Sequence, residues 1–293
     1  MIPLLLLFSC GSADLSQSYE LDRLRILGVQ ATPAEPQPGE VTTMTSLVYV
    51  PEGETLSGVI WFACLPDAAS TSFGCEIDES AFDALSGFED EKLSEEELAA
   101  MYKKLVAAGF VGFEPDIPPI WIPPVDALDG LDDIAKQEGL SAVINITAIP
   151  EGADEASNQD EVELAYKRIP VSLSPTPNQN PELTDWLVDG VAHTGVLLAQ
   201  PGQTYALQPT VPDDAIESYS YINSDGESET RTEEPFLLWY LEGGTFDQSF
   251  SLYPYTEVEW TAPDTAFSGV IIAVMRDRRG GMDWLSLFVE VEG

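Results

Sequence analysis

The chain has 293 residues, of which 51 are acidic and 12 basic, for a formal net charge of −39. That balance excludes nucleic acid, because a phosphate backbone needs a basic footprint and the densest basic cluster is Arg276, Arg278 and Arg279, interrupted by Asp277. It disfavours anionic membrane surfaces for the same reason, and with 22 prolines, 22 glycines and 10% aromatic residues it points to short strands joined by turns beneath a solvated acidic surface.

Residues 2–8 are an apolar run leading into Ser9 and Cys10, followed by Gly11, Ser12 and a polar stretch. The run is too short to span a bilayer, which takes about 20 apolar residues. Two readings fit it, a buried strand opening the first domain or an export signal. Leu7-Phe8-Ser9-Cys10 resembles the lipobox of bacterial lipoproteins. The resemblance implies cleavage before Cys10, diacylglycerol on its sulfur, and a lipid anchor in the membrane. With Ser12 and not Asp in the sorting position, it implies the outer membrane or cell surface. No Lys or Arg precedes the run, and Phe8 stands where a small residue is usual. Residues 1–19 are thus expected to be signal and tether. With Cys10 taken by lipid, Cys64 and Cys75 remain as an even pair, for which a disulfide is the natural pairing in an exported chain. The closed loop would stabilise the fold by roughly 3 kcal/mol. Zinc wants four ligands, and the single histidine, His193, lies far along the chain.

Residues 20–174 read as a first domain. A Pro38-Gly39 turn leads into an alternating strand at 41–50, and an apolar strand follows around Trp61. An insertion at about 76–119 holds the one convincing helix. Ser94 and Glu97 form a capping box, Leu98, Met101, Tyr102, Leu105 and Val106 share a face, and Gly109 marks the exit. Such a helix is either a lid over the domain or a partner-binding element extended by Phe110, Phe113, Ile117 and Ile120 as an apolar ridge. Trp121 with Pro123 comes next, then an acidic stretch at 125–139, a β run at 139–147 and a closing strand at 164–171. Pro175, Pro177 and Pro181 make residues 175–182 an extended linker.

The second half, 183–293, repeats this order of landmarks. Pro201-Gly202 leads into a strand, Trp239 centres an apolar strand, Trp260 precedes Pro263, and β runs follow at 269–275 and 284–291. Two domains of about seven strands each have the signature of a sandwich. On these landmarks the chain resembles Gram-negative envelope lipoproteins with tandem immunoglobulin-like or PKD-like domains. The expected fold is therefore all-β, two tandem immunoglobulin-like β-sandwiches, the first carrying the helical insertion.

Enzymatic signatures are missing from the sequence: His193 has no nucleophile elbow to serve, and no phosphate loop, dinucleotide fingerprint or zinc-protease motif occurs. No cofactor is called for. Calcium is the one ligand the composition makes room for, at Asp126, Asp129, Asp132 and Asp133 or at Asn223, Asp225, Glu227 and Glu229, though neither group follows the EF-hand spacing. The segment 276–281 places three arginines between two strands that need a hairpin, where ion pairs to the acidic surface account for them. The expected role is non-enzymatic: adhesion, scaffolding or assembly of a surface complex with a protein partner in the envelope. The alternative is a calcium-assisted glycan-binding module with Tyr219, Tyr221, Tyr253 and Tyr255 as a stacking platform.

Overall fold

The computed structural model describes residues 17–65, 95–152, 162–223 and 225–293. In chain order the first half contributes β1 (Arg25–Thr32), β2 (Thr42–Tyr49), β3 (Leu56–Cys64), α1 (Glu95–Ala107), β4 (Phe110–Glu114), β5 (Ile120–Trp121), α2 (Asp133–Glu138), β6 (Leu140–Pro150) and β7 (Glu163–Val171). These strands pair antiparallel into two sheets, β1-β2-β5 and β4-β3-β6-β7. Inward residues of both sheets meet in one core, with Val29, Ala31, Met44 and Trp121 from the first and Trp61, Ile144, Ile146 and Ile169 from the second.

The second half contributes β8 (Trp186–Val188), β9 (Val191–His193), β10 (Leu197–Ala199), β11 (Thr204–Pro209), β12 (Ser218–Ile222), β13 (Ser228–Thr232), β14 (Phe236–Leu241), β15 (Thr245–Phe246), β16 (Phe250–Leu252), β17 (Val258–Thr261), β18 (Phe267–Arg276) and β19 (Met282–Val291). Its sheets run β15-β17-β11-β8-β9 and β10-β19-β18-β14-β16, with β10 parallel to β19, and β12-β13 stand apart as a hairpin. Trp239, Trp260, Leu207, Leu237, Ile271 and Leu287 fill the core between them.

Within the larger second sandwich, the order β8-β11-β17 repeats β1-β2-β5, and β16-β14-β18-β19 repeats β4-β3-β6-β7. The chain is therefore all-β, with two sandwiches of immunoglobulin-like order. Local bonds repeat as well. Gly39 and Gly202, both at positive φ after a proline, donate their N–H groups to the carbonyls of Pro123 and Pro263 at 2.9 and 3.2 Å. The indoles of Trp61 and Trp239, both fully buried, donate to Glu114 Oε2 on β4 and Ser251 Oγ on β16, each at 3.0 Å.

One element differs from the sequence reading. Residues 110–114, assigned above to the insertion, form β4 and pair with β3. Phe110 is not part of an exposed ridge: it is buried with Leu105 of α1 against Phe62, on the face of β3 opposite Trp61. Ile117 and Ile120 do remain exposed. Helix α1 thus covers the outer face of the sheet, while Tyr102 and Val106 stay about half exposed. The side chain of Leu98, and Ser94 with most of the remaining insertion, lie outside the described residues.

The sandwiches meet across sheet faces. On β18, Ile271, Ala273 and Met275 point into the second core, while Ile272 and Val274 point outward and pack with Tyr240 against Leu21, Leu27 and Tyr49. Tyr49 donates its hydroxyl to Glu242 Oε1 at 2.6 Å, and burial, reinforced by that carboxylate, raises its pKa well above the ordinary phenol value. Residues ahead of β1 join the second sandwich: Leu21 N–H donates to Leu241 O at 2.8 Å, Leu241 N–H to Tyr19 O at 3.0 Å, and Tyr19 meets Phe246 edge-on.

Candidate functional site

The β18–β19 hairpin carries Arg276, Asp277, Arg278, Arg279, Gly280 and Gly281 into the junction of the two sandwiches. Asp277, 1% exposed, organises it. Its Oδ1 accepts N–H bonds from Arg279, Gly280 and Gly281 at 2.7 to 2.9 Å, and its Oδ2 accepts from Asn178 Nδ2 of the linker at 2.8 Å. Burial raises the pKa of this carboxyl, opposed by Asn178, by the Arg279 and Gly280 N–H groups and by Lys167. Glycine is required at 281, where a Cβ would lie 2.7 Å from Gln179 O.

Arg279 gathers three carboxylates from three segments. Nη1 reaches Glu233 Oε1 at 3.1 Å and Glu217 Oε2 at 3.3 Å, on either side of the β12–β13 hairpin. Nη2 reaches Glu35 Oε2 at 3.4 Å and Thr176 O at 3.1 Å. Its guanidinium also lies 4.1 Å from the Tyr219 ring centroid, within cation–π range. Glu35, in the first sandwich, accepts from Ser172 Oγ and from Asn178 N–H at 2.7 Å. One guanidinium thus fastens the first sandwich, the linker and the projecting hairpin together. Burial raises Glu233 to about 7 despite its bond to Glu217 N–H and its pairing with Arg279. The linker residues Asn178 and Asn180 are held on both sides, Asn180 by donating to Ala31 O at 2.8 Å and accepting from Met282 N–H at 3.1 Å. The connector is extended, as its prolines require, but pinned along its length.

Among the described residues, the acidic groups and tyrosines singled out in the sequence do not converge on a common site. Cys10 and Cys75 lie outside the described residues, and Cys64 ends β3. His193 lies on β9, opposite Trp186, with Nε2 buried and without a hydrogen-bond partner. Asp132 is the N-cap of α2, accepting from Ile134 and Ala135 N–H at 3.0 and 2.9 Å, which is turn and helix chemistry. Asn223 closes the β12–β13 turn by accepting from Asp225 and Glu227 N–H, and Glu229 is held by Asn223 and the Tyr221 hydroxyl. Among the described residues no group of three or more His, Cys, Asp or Glu side chains could hold a metal ion. Tyr219 and Tyr221 share a face of β12 but are covered by Arg279 and Arg231, while Tyr253 and Tyr255 follow β16. Sequence reasoning found the arginine hairpin but missed its partners Glu35, Glu217, Glu233 and Asn178. No pattern distinguishes those acids from the other acids in the sequence.

Among the described residues, no helix is long and apolar enough to cross a membrane. No family model matches the sequence, and no curated protein matches it. Among solved structures, the D00-D0 domain of Intimin aligns over 92% of this chain and 99% of that chain at 11% identity, with a TM-score of 0.24.

Proposed function

We propose that the chain is a non-enzymatic cell-envelope lipoprotein, anchored through lipid on Cys10 at the outer membrane or cell surface. Its paired sandwiches act there in adhesion, scaffolding or assembly of a surface complex. The supporting observation is the junction itself. Interfaces between domains of one chain are commonly polar and mobile, whereas here an apolar face is covered and Arg279 draws in Glu35, Glu217 and Glu233. These charges are committed to holding one relative placement of the two sandwiches. A rigid unit presents fixed loops and edges to a protein partner, at little entropic cost on binding.

The tether supports the same reading. Tyr19 and Leu21 are docked on the second sandwich, so covalent geometry alone keeps Cys10 within about 25 Å of Gln17. A lipid on Cys10 would hold the sandwiches close to the bilayer, with the acidic surface repelled from anionic headgroups. In cells fed a fatty-acid analogue, the protein should incorporate the label and the Cys10→Ala variant should not. A labelled Cys10→Ala variant, or an unlabelled parent in an exporting host, would overturn the anchor. Cys64 and Cys75 are proposed to pair, and mass analysis under non-reducing conditions should find the two peptides linked.

A further inference from the structure

The junction holds a second feature, which stands independently of the envelope reading. We propose that the cleft where β7 of the first sandwich faces the β18–β19 hairpin of the second binds a small carboxylate with an apolar body. The cleft has a volume of 260 Å³, and Lys167, Arg168, Arg276 and Arg278 line it together with the rings of Tyr166 and Phe236. Four of the 12 basic residues of a chain with net charge −39 therefore converge on one small cavity, and no acidic residue is among the described residues lining it.

Two of these cations lack the partners that the composition would readily supply. Neither Lys167 nor Arg276 has a carboxylate within 4.0 Å among the described residues. Lys167 is 6% exposed and donates to Gly280 O. Asp277, whose charge acts on it, is taken up by the hairpin N–H groups and Asn178. Burial pulls the Lys167 ammonium down to about 8, with Arg276 adding to the fall and Asp277 opposing it. Arg276 offers five donors. One Nη makes a long bond of 3.4 Å to Leu27 O, and the buried Nε has no partner. A buried ammonium with a second cation acting on it is costly unless something neutralises the pair, and an entering carboxylate matches the guanidinium fork.

Size and charge narrow the ligand. The cavity is below the ~300–1,000 Å³ of pockets for drug-sized ligands, and the surrounding acidic surface repels polyanions. The apolar walls, Ile26 and Met282 beside Tyr166 and Phe236, suit a short hydrocarbon or ring behind a single negative charge. Tyr166 is 73% exposed at the rim, where it is open to stacking on the ligand's body.

Calorimetric titration of the full chain at low ionic strength tests this with hexanoate, against 1-hexanol and inorganic phosphate. Hexanoate should bind saturably and at least about tenfold more tightly than either control. Lys167→Met and Arg276→Met should each weaken it at least about tenfold, while Arg23→Gln, remote from the cleft, leaves it unchanged. Equal binding of hexanol, equal binding of phosphate, or full affinity in both Met variants would each overturn the proposal. Melting separates a ligand role from a structural one. Ligand-free Arg276→Met should melt no lower than the parent, and a fall of more than about 4 °C would assign that charge to the fold instead.

Discussion

Arg279 is where the chemistry of single residues decides most. Its side chain is 16% exposed and stands between carboxylates whose own side chains are 9%, 25% and 2% exposed. Removing a buried ion-pair partner leaves uncompensated charge, which costs more than the pair was worth. Arg279→Met should therefore destabilise the protein by about 3–5 kcal/mol in urea unfolding, and adding Glu233→Gln should recover part of the loss. If the double variant is no more stable than Arg279→Met alone, the carboxylates are not repelling one another. Glu233 also sets a pH dependence. Its pKa is raised from 4.5 to about 7 in the folded protein, mainly by burial, so the unfolded chain releases this proton first. Stability consequently falls as pH rises through that window. Glu233→Gln should flatten the drop in urea midpoint between pH 5 and pH 7; Asp277 and Asp283, whose pKa values are also raised by burial, add slopes of the same sign above the ordinary Asp value.

At the scale of elements, the repeated tryptophans make a comparison possible. Trp61 donates to a carboxylate that also accepts from Ser46 Oγ, whereas Trp239 donates to a hydroxyl that itself donates to Thr256 O. Hydrogen bonds to charged groups are worth about 1.5–3 kcal/mol and neutral ones about 0.5–1.5 kcal/mol. Trp61→Phe should thus lower stability more than Trp239→Phe, although both positions are fully buried and both lose the same ring volume. Equal losses would mean that the Glu114 bond contributes nothing beyond packing. These strands were legible from sequence because Pro-Gly turns and tryptophans recur in the same order, and the turns and indoles then make matching bonds. Strand β4 was not legible: Phe-Val-Gly-Phe-Glu reads like part of an insertion until the register shows Trp61 opposite Gly112. At 112 a Cβ would lie 2.5 Å from Pro119 Cα, so glycine is there for close approach and not as a turn signal. The partners of Arg279 were hidden for a different reason, since burial of an acid depends on long-range packing that leaves no local pattern.

For the whole molecule, the decisive signal was present in the sequence but has two meanings. Residues 270–275 are apolar without alternation, which in a sandwich strand means that both faces are covered. Inward, Ile271, Ala273 and Met275 complete the second core, and outward, Ile272 and Val274 meet the first sandwich. Each sandwich has its own core, so only the junction couples their unfolding. Calorimetry of the parent should show a single cooperative transition. Ile272 is 4% exposed in the shared cluster, and Ile272→Asp would place an unpaired charge there without touching either core. The variant should unfold in two transitions, the sandwiches melting apart. A parent that already unfolds in two steps would show that Arg279 and the apolar face do not lock the halves, and the rigid display unit on which the proposed function rests would fall with it. A variant that keeps one transition at a lower temperature would instead place the coupling in the Arg279 ion pairs and the linker contacts of Asn178 and Asn180, which survive the substitution.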